Sequence, residues 1–227
     1  CDDIAVLKIN TSDEMYFNFS KKAPSLGQEI LAIGYPRGDD EITFLDGIVS
    51  KKTANGSNTW SSIEYAFEHT AEILPGSSGG PILNQDAEAI GIAYARNSDS
   101  QEFGIPSVVV EDIVEKILTQ QFVNTLGING EQFQDFGIYL YSVDSESILN
   151  QLGVEGGDMI TSINNFNIQN EDTLKVYCDA INNRSPSSKI TLDLIRLSNL
   201  SEYSVEVSLD GSILKMLTTT TTTTTTT

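Results

Sequence analysis

Short apolar runs rich in Val and Ile, each ended by glycine or a polar turn, recur along nearly the whole chain, and this rhythm restricts the fold more than any other feature. A run of four to eight such residues buries its side chains as a strand, whereas a helix needs ten or more at a period near 3.6. Residues 3–9 read as a buried strand, 27–38 as turn, strand and turn, 43–50 as a strand interrupted at Gly47, 64–70 as strand-like, 76–81 as a tight glycine loop and 89–95 as a further strand. Short strands at this spacing predict a barrel. Helical spacing occurs at 108–118, where Val109, Ile113 and Ile117 share a face with Val110 and Val114 beside them. A second unit follows, with strands at 137–143 and 158–163, a short helix at 145–152, a helix at 171–182 and a final strand pair at 190–197 and 203–209. Asn170 can cap the 171–182 helix, whose first turn holds Glu171 and Asp172. Leu174, Tyr177, Cys178 and Ile181 line its apolar face.

The expected fold is therefore mainly β, a barrel followed by a smaller α+β domain. A length of 227 residues suits two cores. The boundaries read as 1–118, 119–211 and a tail at 212–227, where the unbroken Thr tract from Thr218 has no apolar pattern to bury and is expected to be disordered. The strand at 3–9 has no preceding turn or cap, so the chain is expected to start inside a domain.

Thirteen Lys and Arg stand against 32 Asp and Glu, a formal net charge of -19. Such a surface repels phosphate backbones and anionic headgroups, which argues against nucleic acid and peripheral membrane binding. It suits a solvated exterior, with attraction of basic or unfolded chains as the functional alternative. Cys1 and Cys178 fall in different predicted domains and are read as unpaired, so they do not report a compartment. No stretch of about 18 apolar residues suggests a membrane span.

The strongest chemical signal is Gly76-Ser77-Ser78-Gly79-Gly80-Pro81. A serine hydroxyl becomes a nucleophile when it stands exposed on a turn, beside a general base, with backbone N–H groups aimed at the oxygen it will charge. Gly76 tolerates the conformation that aligns successive amides, while Gly79 and Gly80 let a substrate approach. Pro75 has no N–H, leaving Gly76, Ser77 and Ser78 as donors.

Four segments, taken in order, resemble the HtrA/Deg-type trypsin-like serine proteases. Asp3-Ile4-Ala5-Val6-Leu7-Lys8 is similar to the strand that carries their catalytic Asp, and Leu31-Ala32-Ile33-Gly34-Tyr35-Pro36-Arg37-Gly38 to their Ala-Ile-Gly-Asn-Pro-Phe-Gly segment. Gly47-Ile48-Val49-Ser50 is similar to their Ser-Gly-Ile-Val-Ser strand, and the loop at 76–80 to their Gly-Asn-Ser-Gly-Gly nucleophile loop. The resemblance implies Ser78 as nucleophile, the amides of Gly76, Ser77 and Ser78 as oxyanion hole, and Asp3 as the residue that orients the catalytic histidine. Asp2 is the weaker candidate, one residue off the match. The family's histidine comes from a preceding barrel, upstream of Cys1. His69 stands where the family has the first residue of Gln-Thr-Asp-Ala, in a run that here reads His69-Thr70-Ala71-Glu72, and is read as a structural or surface residue in preference to the base. Without an imidazole a triad fails as a unit, at a cost on the order of 10⁶ in rate.

Further on, Leu152-Gly153-Val154-Glu155-Gly156-Gly157-Asp158-Met159-Ile160 followed by Ile163-Asn164-Asn165 resembles the Gly-Leu-x-x-Gly-Asp-x-Ile and Ile-Asn-Gly signature of PDZ domains. Its Gly-Asp turn is structural. Leu126-Gly127-Ile128 resembles the carboxylate-binding loop of the same family, beside which a peptide C-terminus would pair with a strand. The resemblance implies an endopeptidase acting on misfolded or exposed polypeptide, PDZ capture of peptide C-termini, a homotrimer, an extracytoplasmic location, and neither cofactor nor metal. The alternative is a protease-like PDZ protein that binds chains without cutting them.

Overall fold

The computed structural model describes residues 1–11, 15–56, 58, 60–97, 99–119, 126–133, 135–169, 173–183, 188–208 and 213–221. The chain divides into two compact units, one made of 2–58 and 63–123, the other of 124–227 with 59–62 and Cys1.

The first unit is a closed barrel of six antiparallel strands in the order β1-β2-β3-β6-β5-β4, formed by β1 (Glu29–Gly34), β2 (Thr43–Ala54), β3 (Ala66–His69), β4 (Pro81–Leu83), β5 (Ala89–Arg96) and β6 (Glu102–Pro106). Closure comes from β1, which pairs with β2 on one side and β4 on the other. Alternation divides the apolar residues. One set, with Ile30, Ala32, Val49, Phe67, Ile82 and Ala93, forms one cluster, and Tyr94, Phe103 and Ile105 join Val110 of α1 (Ser107–Leu118) in another. Ser107 opens α1 and fixes its start by donating from Oγ to the Ser20 carbonyl at 2.8 Å.

The expected strand at 3–9 does not form. A lone strand leaves its N–H and C=O groups without a ladder and is unstable without partners, and here Leu7 and Ile9 are 86% and 71% exposed. β2 runs through Gly47 without interruption, and the position is glycine because a side chain there would collide with the Ala71 backbone. β4 and β6 are additions to the strands read from sequence.

The second unit is a sheet in the order β13-β12-β11-β9-β8-β7, built from β7 (Ile128–Phe133), β8 (Gly137–Val143), β9 (Asp158–Ile163), β10 (Phe166–Asn167, paired with β9), β11 (Lys189–Arg196), β12 (Ser201–Ser208) and β13 (Ile213–Thr221). Among the described residues two helices accompany it, α2 (Ile148–Gln151) and α3 (Thr173–Asn182). The face of α3 foreseen from spacing, Leu174, Tyr177, Cys178 and Ile181, is buried against Ile138, Leu140, Ile160, Leu192 and Val205. Asn170, Glu171 and Asp172, read as its cap and first turn, lie outside the described residues.

Two expectations change here. Cys1 and Cys178 form a disulfide with Cα atoms 5.6 Å apart, because residue 1 packs with the second unit, against the core that holds Cys178. Thr218–Thr221, expected to lack structure, extend β13 along β12. Threonine is β-branched and favours the extended backbone, and an available strand edge supplies the hydrogen bonds that a free Thr tract lacks. Residues 222–227 lie outside the described set.

Candidate active site

The loop at 74–80 is held from three directions. The Ser77 amide donates to the Leu74 carbonyl at 3.0 Å, closing a turn across Pro75 and Gly76. The Gly79 amide donates to Ala93 and the Ala93 amide to Gly80, both at 2.8 Å, which fastens the far side of the loop to β5. The Arg37 amide donates to Pro75 at 2.7 Å from the single 3-10 turn Pro36–Gly38. Gly76 takes φ +98, and a side chain on it would also strike the Arg37 amide at 2.9 Å, so this position requires glycine on two counts.

Within this frame Ser78 is exposed and Ser77 is buried. The Ser77 side chain packs where Gly34 leaves room, since a Cβ on Gly34 would lie 2.9 Å from both Ser77 Cβ and Oγ. Among the described residues the amides of Gly76 and Ser78 meet no acceptor. The Ser77 amide, the third donor read from sequence, donates to the Leu74 carbonyl. Two N–H groups separated by one residue, beside an exposed hydroxyl, can hold an oxygen that gains charge during attack on a carbonyl.

Asp3 is exposed, in the left-handed region at φ +50. Asp2 accepts a hydrogen bond from the Tyr65 hydroxyl at 2.7 Å, and burial followed by this carboxylate holds the phenol well above its ordinary range. His69 ends β3 with 3% exposure, its ring 5.8 Å from that of Phe67, and neither ring nitrogen has a hydrogen-bond partner among the described residues. Burial lowers its pKa to about 4. An imidazole sealed in this way has no hydrogen bond to Ser78, in agreement with its reading as structural.

Sequence reasoning passed over Glu102, a buried acid on β6. Its pKa rises to about 7, mainly through burial, with Arg96 opposing and the Glu72 charge adding. An acid inside an apolar run, Glu102-Phe103-Gly104-Ile105, was the available signal.

In the second unit Leu126 is buried in the core and Gly127 takes φ +70, its carbonyl accepting from the Asp144 amide at 2.7 Å. A side chain at 127 would meet Ser147 Cβ at 2.7 Å. Ile128 then opens β7, the terminal strand of the sheet, which pairs only with β8 among the described residues. The Leu174 amide at the start of α3 reaches Gln132 Oε1 of β7 at 3.4 Å. Asp158 of the Gly-Asp turn is fully buried and accepts from the Glu155 amide at 2.8 Å, the Tyr203 hydroxyl at 2.5 Å and the Arg196 guanidinium at 3.0 and 3.1 Å. Those bonds hold Arg196 further above its ordinary range and explain the residue by structure alone.

Among the described residues no cluster of His, Cys, Asp and Glu could hold a metal ion, and no helix is long and apolar enough to cross a membrane.

Residues 2–92 match the family of trypsin-like peptidase domains. The chain is 28% identical over 226 residues to a periplasmic serine endoprotease DegP-like protein of Chlamydia pneumoniae, covering 91% of this chain and 45% of that one. It is 29% identical over 205 residues to the serine protease Do-like HtrB of Bacillus subtilis, covering 76% and 44%. The chain therefore spans less than half the length of these relatives. Among solved structures, a serine endoprotease from Yersinia pestis aligns over 93% of this chain and 70% of its own at 23% identity, with a TM-score of 0.46.

Proposed function

We propose that this chain carries the nucleophile-bearing barrel and a PDZ-type peptide-binding domain of an HtrA/Deg-type serine endopeptidase that hydrolyses misfolded or exposed polypeptide. One observation carries the reading: an exposed Ser78 whose own amide and that of Gly76 meet no acceptor among the described residues, on a loop clamped to β5. In this reading a histidine supplied by sequence upstream of Cys1 takes the Ser78 proton as Oγ attacks the peptide carbonyl. The two amides hold the resulting oxyanion, the protonated histidine gives its proton to the leaving amine, and water hydrolyses the acyl-enzyme. Asp3 orients that histidine once a preceding barrel covers the apolar residues now exposed around Leu7 and Ile9. The serine protease names of the relatives and the family match over 2–92 support the same assignment. A disulfide, which persists in oxidising compartments, supports a site of action outside the cytoplasm, and assembly as a trimer belongs to the same reading.

The full-length protein is expected to cleave casein, and Ser78→Ala to abolish cleavage; undiminished cleavage by the variant eliminates the assignment. The terminal position of β7 beside α3 supports peptide capture by strand addition, with the carboxylate near Gly127. Leu126→Glu is expected to weaken binding of peptides with hydrophobic C-termini at least tenfold in calorimetric titration, and equal affinity refutes the groove.

A further inference from the structure

One row of ionisable side chains runs across the barrel wall. The pairing of β3 with β6 sets His69 opposite Glu102, and the pairing of β6 with β5 sets Glu102 opposite Arg96. Directly opposed residues of antiparallel strands project to the same face with Cβ atoms about 5 Å apart. His69 and Glu102 are both buried, and all four of their polar atoms, Nδ1, Nε2, Oε1 and Oε2, lack a hydrogen bond among the described residues. Each such orphan costs on the order of 1–3 kcal/mol, and burial favours the uncharged form of both groups.

Arg96 links this interior pair to the surface. Its Nε lies 3.3 Å from Glu102 Oε1, and its terminal nitrogen 3.6 Å from Glu72 Oε1. Glu72 is exposed and sits between Ala71 and Ile73, both buried, on the segment that leads from His69 into the turn at Leu74. The other charges around the pair are accounted for. Glu68 of β3 is held by Lys51 and Ser50 of β2 and by Gln101, and its field favours a proton on His69.

We propose that Arg96 is a positioning residue for the loop bearing Ser78, and that a proton on Glu102 decides which carboxylate it holds. With Glu102 neutral, the guanidinium engages Glu72, steadying the segment 70–76. When the proton leaves to solvent, the buried carboxylate outcompetes the exposed one, because an ion pair at the surface is worth only about 0–1 kcal/mol while an uncompensated buried charge is far more costly. Arg96 then turns inward and Glu72 is released. Burial places the Glu102 transition near neutrality and keeps His69 unprotonated down to about 4, so the exchange falls in the range where a secreted or periplasmic protein works. The significance for catalysis rests on the reading of Ser78 as nucleophile; the exchange of partners does not.

The test follows the backbone amide resonances of Gly76 and Ser78 in this chain by NMR from pH 5.5 to 8.5, beside the side-chain carboxyl carbon of Glu102. Both are expected to shift with one shared midpoint near neutrality. Glu102→Gln, a neutral residue of the same shape, is expected to lose the amide shift. Glu72→Gln, an exposed change that leaves the core intact, is expected to lose it as well while Glu102 itself still titrates. Flat Gly76 and Ser78 resonances in the parent chain overturn the proposal, and so does a shift that survives Glu72→Gln. Full casein cleavage by Ser78→Ala would instead remove the catalytic reading and leave this titration untouched.

Discussion

Two buried carboxyl groups show how environment assigns a side chain its role. Asp158 receives donors from a backbone amide, a phenol and a guanidinium, so both its oxygens are tied down inside the second unit. Glu102 has one guanidinium nitrogen at 3.3 Å and no hydrogen bond among the described residues, so burial favours its neutral form. The linkage to stability has opposite signs for Glu102 and His69. Glu102 moves from 4.5 to about 7, so the stability it contributes is full below 4.5 and is lost as pH rises through 7. His69 moves from 6.5 to about 4, so its contribution is full above 6.5 and is lost as pH falls through 4. Between 4.5 and 6.5 the two slopes offset one another. Relative to the parent, His69→Gln is expected to make the urea midpoint decline as pH rises across that window, and Glu102→Gln to make it climb. Parallel midpoints for parent and both variants would show that neither group is buried as described.

At the scale of elements, the catalytic candidate is a loop clamped between strands. β1 passes so close to Gly80 that any Cβ there would drive into the Ile33 carbonyl oxygen, while Gly80 also accepts from Ala93 of β5. Gly80→Ala is therefore expected to cost at least about 1–3 kcal/mol in chemical denaturation and to disturb the loop. A variant as stable as the parent would mean that β1 does not pass there. Apolar runs bounded by turn residues were legible beforehand: Gly137–Val143 and Asp158–Ile163 appear with the limits expected. β4 escaped notice because three residues carry too little pattern, and β6 because an acid opens it and a proline ends it. The run at 3–9 has the right composition for a strand and no ladder to join, a condition that composition does not report.

Across the whole molecule, the covalent link from Cys1 to Cys178 closes a loop with a sequence separation of 177. Constraining so long a segment in the unfolded chain contributes roughly 2–5 kcal/mol. Reductant is expected to lower the urea midpoint by a corresponding amount, and Cys178→Ser to reproduce the effect. Two free thiols in the unreduced protein, with an unchanged midpoint, would show the bond to be absent. The strand rhythm and the glycine loop determined by themselves that the chain is mainly β, that its first unit is a barrel and that Ser78 is the residue to examine, because alternation and glycine placement act over a few neighbours. Tertiary structure alone decided which amides of the 74–80 loop find acceptors, that Cys1 pairs with Cys178, that part of the Thr tract becomes a strand, and that Glu102 stands opposite His69 and Arg96. Each of these depends on groups distant in the chain arriving at one place, and the energy of burying or pairing them exists only after they have met.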